Sequence, residues 1–124
     1  AMVCDSLGTP WEVETAGRIL FLEDTHEPLY RVDRMLAHLA AAGKLAAAAG
    51  FLVGRLHQDG LDREEALPIE EILADHLAGL GKPAAIGFPV GHIHGTLTLP
   101  LGTRALLDVT TDRASLTILE PAVS

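Results

Sequence analysis

The chain holds little basic charge. It has 9 Lys+Arg against 17 Asp+Glu, a formal net charge of −8. Affinity for DNA or RNA comes largely from cationic side chains, so the chain is a poor match for a phosphate backbone and no nucleic-acid partner is expected. A polyanionic membrane surface is disfavoured for the same reason. A single cysteine, Cys4, leaves no internal disulfide framework and no Cys-rich zinc site. It fits a reducing compartment, and the expected location is cytoplasmic. No apolar run is long enough to span a bilayer. The N-terminus shows neither the basic nor the apolar region of a signal peptide.

Aromatic residues make up only 4% of the chain, so the core has to be built from Leu, Ile, Val and Ala. No nucleophile announces itself. The serines are Ser6, Ser115 and Ser124, and none lies in a Gly-x-Ser-x-Gly elbow. Cys4 reads as buried packing. No Gly-rich phosphate loop precedes a helix.

What is present is apolar. At 124 residues and 48% hydrophobic, the chain supports one folded core and excludes disorder. Residues 1–7 read as the tail of a helix ended by Gly8 and Pro10. That segment has no start signal of its own, so the chain is expected to begin mid-element. Residues 18–22 form a continuous apolar run, suited to a strand buried on both faces. Pro28 opens a helix with Leu29, Val32, Leu36 and Leu39 at helical spacing, ended by Gly43. Residues 48–54 are a second strand candidate, and 57–65 a polar loop. Pro68 opens another helix, with Glu70 and Glu71 in its first turn and Ile69, Ile72, Leu73, His76, Leu77 and Leu80 as its stripe.

Residues 84–88 are a third short strand, leading into a Pro/Gly/His loop over 89–95. Residues 96–99 alternate Thr and Leu, the pattern of a half-buried strand. Residues 103–109 and 114–119 flank a polar turn and predict a hairpin. The expected class is α/β, with a small parallel layer, an antiparallel layer of three strands and two main helices.

Two chemistry-bearing positions follow strand ends. Glu23-Asp24 comes after the first strand, and His92 lies in the loop after the third. Functional groups gather outside the carboxyl ends of such strands. If those two strands are parallel neighbours, a carboxylate and an imidazole reach one rim. That pairing builds a general base for a Ser or Cys nucleophile. For Asp24 the expected role is a loop or helix-capping carboxylate. For Glu23 the pattern leaves structural and catalytic readings open. His92, His94 and Glu23 also offer a metal-site alternative. His26, His38, His57 and His76 show no partner pattern, and His76 reads as a packed core residue. Arg31 and Arg34 are expected to pair with Glu27 and nearby acids.

The string Ile19-Leu20-Phe21-Leu22-Glu23-Asp24, with Glu27-Pro28-Leu29-Tyr30-Arg31-Val32-Asp33-Arg34-Met35-Leu36 after it, closely resembles the LD-carboxypeptidases. These are the murein tetrapeptide carboxypeptidases and relatives giving immunity to peptide-nucleotide antibiotics. Leu7-Gly8-Thr9-Pro10-Trp11, Gly87-Phe88-Pro89-Val90-Gly91-His92 and Thr96-Leu97-Thr98-Leu99-Pro100-Leu101-Gly102 agree, in the right order. The resemblance implies a two-domain serine peptidase. Residues 1–124 would be its C-terminal domain, of the swivelling β/β/α type. An absent N-terminal domain would carry the nucleophilic serine, in a Gly-x-Ser-Asp segment, and the oxyanion donors. By motif position, Glu23 and His92 are the implied catalytic partners of that serine. His94 departs from the family's usual pattern and receives no role. The implied reaction releases terminal D-Ala from murein tetrapeptide, with no cofactor or metal, and the chain alone would be inert. A homodimer is expected, both from the resemblance and from the mean hydropathy of +0.28, which leaves apolar residues to be exposed. A silent assembly domain that exists by itself is the remaining alternative.

Overall fold

A computed structural model describes residues 1–56 and 69–123. The loop expected over 57–65 and the helix start at Pro68 lie outside the described residues. The elements are α1 (Met2–Asp5), β1 (Ile19–Leu22), α2 (Leu29–Ala41), α3 (Lys44–Ala47), β2 (Gly50–Val53), α4 (Ile69–Leu77), β3 (Ala84–Ile86), β4 (Ala105–Val109) and β5 (Ala114–Ile118). A single 3-10 turn, Ala78–Leu80, extends α4. No helix among the described residues is long and apolar enough to cross a membrane.

β1, β2 and β3 form a parallel sheet with β2 in the centre. Register runs Leu20↔Phe51 and Leu22↔Val53 on one side of β2, and Leu52↔Ala85 on the other. All four residues of β2 are buried, as expected of a strand covered on both faces. Its side chains alternate between the two covers. Phe51 and Val53 join a core with Val32, Leu36 and Leu39 of α2 and Leu73 of α4. Leu52 faces the opposite way, onto a cavity that it shares with Leu116 and Ile118 of the β4–β5 hairpin. The order is therefore helices, parallel sheet, antiparallel pair.

The helix α2 follows its sequence signals closely. Pro28 stands at its N-cap, Ala42 at its C-cap, and Gly43 turns the chain out with a left-handed φ of 73°. Arg31 pairs with Glu27 at 2.9 Å on its exposed side. His76 departs from expectation. It is half-buried rather than packed in the core, and its Nε2 lies 2.7 Å from Asp33 Oδ1, linking α4 to α2. The i, i+4 stripe carried His76 to the helix margin, where an imidazole can reach a carboxylate.

Three further expectations are corrected. Residues 44–47 form a short helix, α3, so β2 begins at Gly50; Ala, Lys and Leu are good helix formers. β3 stops at Ile86 because Gly87 takes a φ of 74° and leaves the extended region. The alternating residues 96–99 are no strand. Their backbone finds no neighbouring ladder among the described residues, and Leu97 N–H donates instead to Pro89 O at 2.9 Å. Alternation describes a face but cannot supply a partner strand. The antiparallel layer is thus the single pair β4–β5, in register Leu107↔Leu116.

Phe51 is 0% exposed at the centre of the core. Phe51→Ala is expected to destabilise the chain by about 3–5 kcal/mol, through lost transfer energy and a residual cavity. Urea unfolding followed by circular dichroism measures it.

Candidate active site

Glu23 follows β1 directly, and His92 sits on the loop after β3. Those strands are not neighbours, because β2 lies between them. The condition that those strands be neighbours is not met, yet the two side chains meet. His92 Nδ1 lies 3.0 Å from Glu23 Oε2. The imidazole side chain is 67% exposed and the carboxylate 20%, so the pair stands at an open rim with its carboxylate tucked inward.

The loop crosses β2 where β2 ends. Phe88 N–H donates to Val53 O at 3.0 Å, and Gly54 N–H donates to Leu22 O at 2.9 Å. Val90 is 1% exposed and anchors the crossing. A Cβ at Gly54 would lie 2.6 Å from Val90 O and 3.0 Å from Glu23 Cβ. Real Cβ atoms do not approach backbone that closely, so the crossing requires glycine at 54. Gly91 has a φ of 109°, and a Cβ there would lie 2.6 Å from Glu23 Oε2. Both its conformation and its emptiness are used. The far side of the loop is held by Gly91 N–H donating to Thr96 Oγ1 at 3.1 Å. Sequence reasoning passed over Gly54. A glycine one residue past a buried central strand was the available signal.

A carboxylate on Nδ1 fixes the tautomer of the ring, so Nε2 is the nitrogen able to accept a proton. Among the described residues, Glu23 is the hydrogen-bond partner of the His92 ring. Asp24 does something else. It caps no helix: its Oδ1 accepts the Thr25 N–H at 2.9 Å and its Oδ2 contacts the α-ammonium of Ala1. Burial acts to raise the Asp24 carboxyl, but the ammonium and the Thr25 N–H together hold it below its ordinary value.

The remaining candidates disperse. His94 is exposed, and among the described residues no three His, Cys, Asp or Glu side chains gather to hold a metal ion. His26 takes a left-handed φ of 61°, with its Nδ1 2.8 Å from Thr25 Oγ1. Cys4 is half-buried, its Sγ donating to Met35 O at 3.4 Å, and burial pushes its thiol up. That is a packing thiol and no activated nucleophile. His57 lies outside the described residues.

Residues 1–107 match the family model described as the LD-carboxypeptidase C-terminal domain. The chain belongs to the LD-carboxypeptidase family. A probable murein peptide carboxypeptidase of Bacillus subtilis is 38% identical over 125 residues, covering 100% of this chain and 38% of its own length. A muramoyltetrapeptide carboxypeptidase from Oxalobacter formigenes superposes with a TM-score of 0.82 at 34% identity, over 94% of this chain and 41% of that one. The microcin C7 self-immunity protein of Escherichia coli is 28% identical over 111 residues, 89% of this chain and 32% of its own. A structure of that immunity protein with glutamyl sulfamoyl guanosine superposes at a TM-score of 0.81 and 27% identity, over 96% of this chain and 35% of that one. The chain therefore spans about two-fifths of the relatives it matches.

The two glycines give a direct test of the geometry. Gly54→Ala forces the loop off the end of β2 and is expected to destabilise the chain by about 1–3 kcal/mol. Gly91→Ala displaces the Glu23 carboxylate from the ring. In a ¹⁵N NMR titration of the imidazoles, Gly91→Ala should alter the His92 resonances and leave those of His76 unchanged.

Proposed function

We propose that residues 1–124 are the C-terminal domain of a serine-type LD-carboxypeptidase that releases terminal D-Ala from murein tetrapeptide. The observation that carries this reading is the 3.0 Å bond between His92 and Glu23 at an exposed rim, in a chain of this family. The nucleophile is supplied by an N-terminal domain. Within the described residues, Ser6 donates to Val3 O and Ser115 lies on the exposed face of β5, so neither is offered to the ring.

In the mechanism, His92 Nε2 takes the proton from the serine Oγ as it attacks the carbonyl carbon of the diamino acid residue. Glu23 orients the ring and stabilises the imidazolium that forms. Oxyanion donors belong to the other domain. As the C–N bond breaks, His92 returns the proton to the nitrogen of the leaving D-Ala. Water then attacks the acyl-enzyme, with His92 again as base. No step needs a metal or cofactor.

A second reading is an immunity-type peptidase that cleaves a peptide-nucleotide antibiotic, supported by the likeness to the microcin C7 self-immunity protein. The greater identity to the Bacillus subtilis murein peptide carboxypeptidase favours the first. The proposed location is the cytoplasm, where the free thiol of Cys4 is stable.

The 124-residue chain alone is expected to release no D-Ala. In the whole protein, His92→Ala or Glu23→Ala should lower kcat by roughly 10⁴-fold. Chromatographic assay of D-Ala release checks both, and near-wild-type turnover by His92→Ala overturns the assignment.

Assembly follows from exposed apolar surface. Leu101 is 75% exposed and Leu97 52% exposed, on the segment that flanks the Glu23 rim. Such patches are covered in soluble proteins. The chain is expected to sediment as a dimer at micromolar concentration. A clean monomer counts against this part of the proposal.

A further inference from the structure

The backbone that carries His92 is pinned through its neighbour Gly91. Gly91 O accepts the Ile93 N–H at 2.9 Å, which closes a three-residue γ-turn with His92 at its centre. Gly91 N–H donates to Thr96 Oγ1 at 3.1 Å. The place a Cβ would take on Gly91 is filled by Glu23, whose Oε2 lies 2.6 Å from it. Glycine has no side chain to limit its own φ and ψ, and a φ of 109° lies where other residues rarely go. The orientation of the Gly91 peptide therefore has to come from its partners. Its C=O is held inside the γ-turn, by a contact that moves with His92. The Thr96 hydroxyl reaches it from outside the turn. That hydroxyl donates its own proton to Leu97 O at 3.4 Å, which leaves a lone pair for Gly91. The Thr96 end is itself anchored, because Leu97 N–H donates to Pro89 O at 2.9 Å.

We infer that Thr96 is a positioning residue for the base: its hydroxyl, acting through Gly91 N–H, sets the direction in which the His92 ring meets Glu23. The inference rests on the function proposed above for its catalytic readout. The position needs an acceptor. A methyl group in place of the hydroxyl leaves Gly91 N–H to water, and the Gly91 peptide is then free to swivel. The imidazole leaves Glu23 for part of the time, and its neutral ring divides between two tautomers instead of keeping Nε2 bare. Fewer attacks by the serine then find a base ready to take the proton. Because Thr96 acts through the base, its loss falls on kcat and leaves KM.

The test uses the whole protein with Thr96→Val, which keeps the branched shape, and Thr96→Ser, which keeps the hydroxyl. Thr96→Val should lower kcat for D-Ala release by roughly 10-fold with KM held within about twofold, and Thr96→Ser should recover most of the loss. A smaller folded fraction would also lower the apparent kcat, so the ring itself is read. In ¹⁵N NMR the neutral His92 ring of wild type should carry its proton on Nδ1. Thr96→Val should move both ring nitrogens toward the average of two tautomers, Thr96→Ser should not, and His76 should stay unchanged in both. Thr96→Val with wild-type kcat or the wild-type tautomer overturns the inference, as does Thr96→Ser impaired as deeply as Thr96→Val. Where Thr96→Val does not fold, amide exchange of wild type decides: Gly91 N–H should exchange at least about 10-fold more slowly than an unprotected amide, and exchange at the unprotected rate overturns the inference. A whole protein that releases no D-Ala overturns the proposed function instead, and the tautomer and exchange measurements then decide the positioning on the same terms.

Discussion

The rim is built around a side chain that is absent. His92 and Glu23 come from loops that leave β3 and β1, and the central strand β2 separates them. Parallel strands sit about 4.8 Å apart, so two strand spacings approach 10 Å. That is too far for a direct hydrogen bond between side chains left at their own strand ends. The loop after β3 has to travel over the end of β2, and Gly54 is the space through which it does so. Val90 O would lie 2.6 Å from any Cβ at that position. A strand that ended in Val or Ala there would keep its sheet and lose the pair.

The same constraint explains why the loop is rich in glycine and proline. It has to turn sharply at Gly87, pass over β2 at Val90, and present His92 with Gly91 clear of the carboxylate. Two of those positions take φ values that other residues resist. The loop is then closed on itself, by Leu97 N–H donating to Pro89 O and Gly91 N–H donating to Thr96 Oγ1. A loop fixed at both flanks holds an exposed imidazole with little orientational freedom. In the proposed mechanism that is what the base needs, because its substrate and nucleophile arrive from elsewhere.

Much of this was legible in the sequence, and the exceptions that bear on the site share a cause. Apolar runs gave β1 and β2, and the spacing of Val32, Leu36 and Leu39 gave α2, because one-dimensional periodicity reports which face is buried. Glu23 and His92 stood out because both follow strand ends. What periodicity cannot report is a partner. Residues 96–99 alternate like a strand, but no neighbour pairs with them among the described residues. His76 lies on an apolar stripe, but Asp33 on another helix draws it to the margin. The order of strands was likewise hidden, and with it the need for Gly54. These three misses concern pairing and strand order, which one-dimensional periodicity does not carry, whereas the short helix at 44–47 and the early end of β3 at Gly87 are local.

Glu23 and Asp24 show how adjacent carboxylates acquire different work. Successive side chains on an extended backbone point to opposite sides. Glu23 turns toward the loop after β3 and meets His92 at 3.0 Å. Asp24 turns the other way, its Oδ1 accepting the Thr25 N–H at 2.9 Å. Had the two faced one another, like-charge repulsion would have favoured keeping one of them protonated. Because they diverge, each keeps a cationic or hydrogen-bond-donating partner, and the site can hold two negative charges side by side in sequence. One stands against an imidazole and the other against the backbone of its own loop.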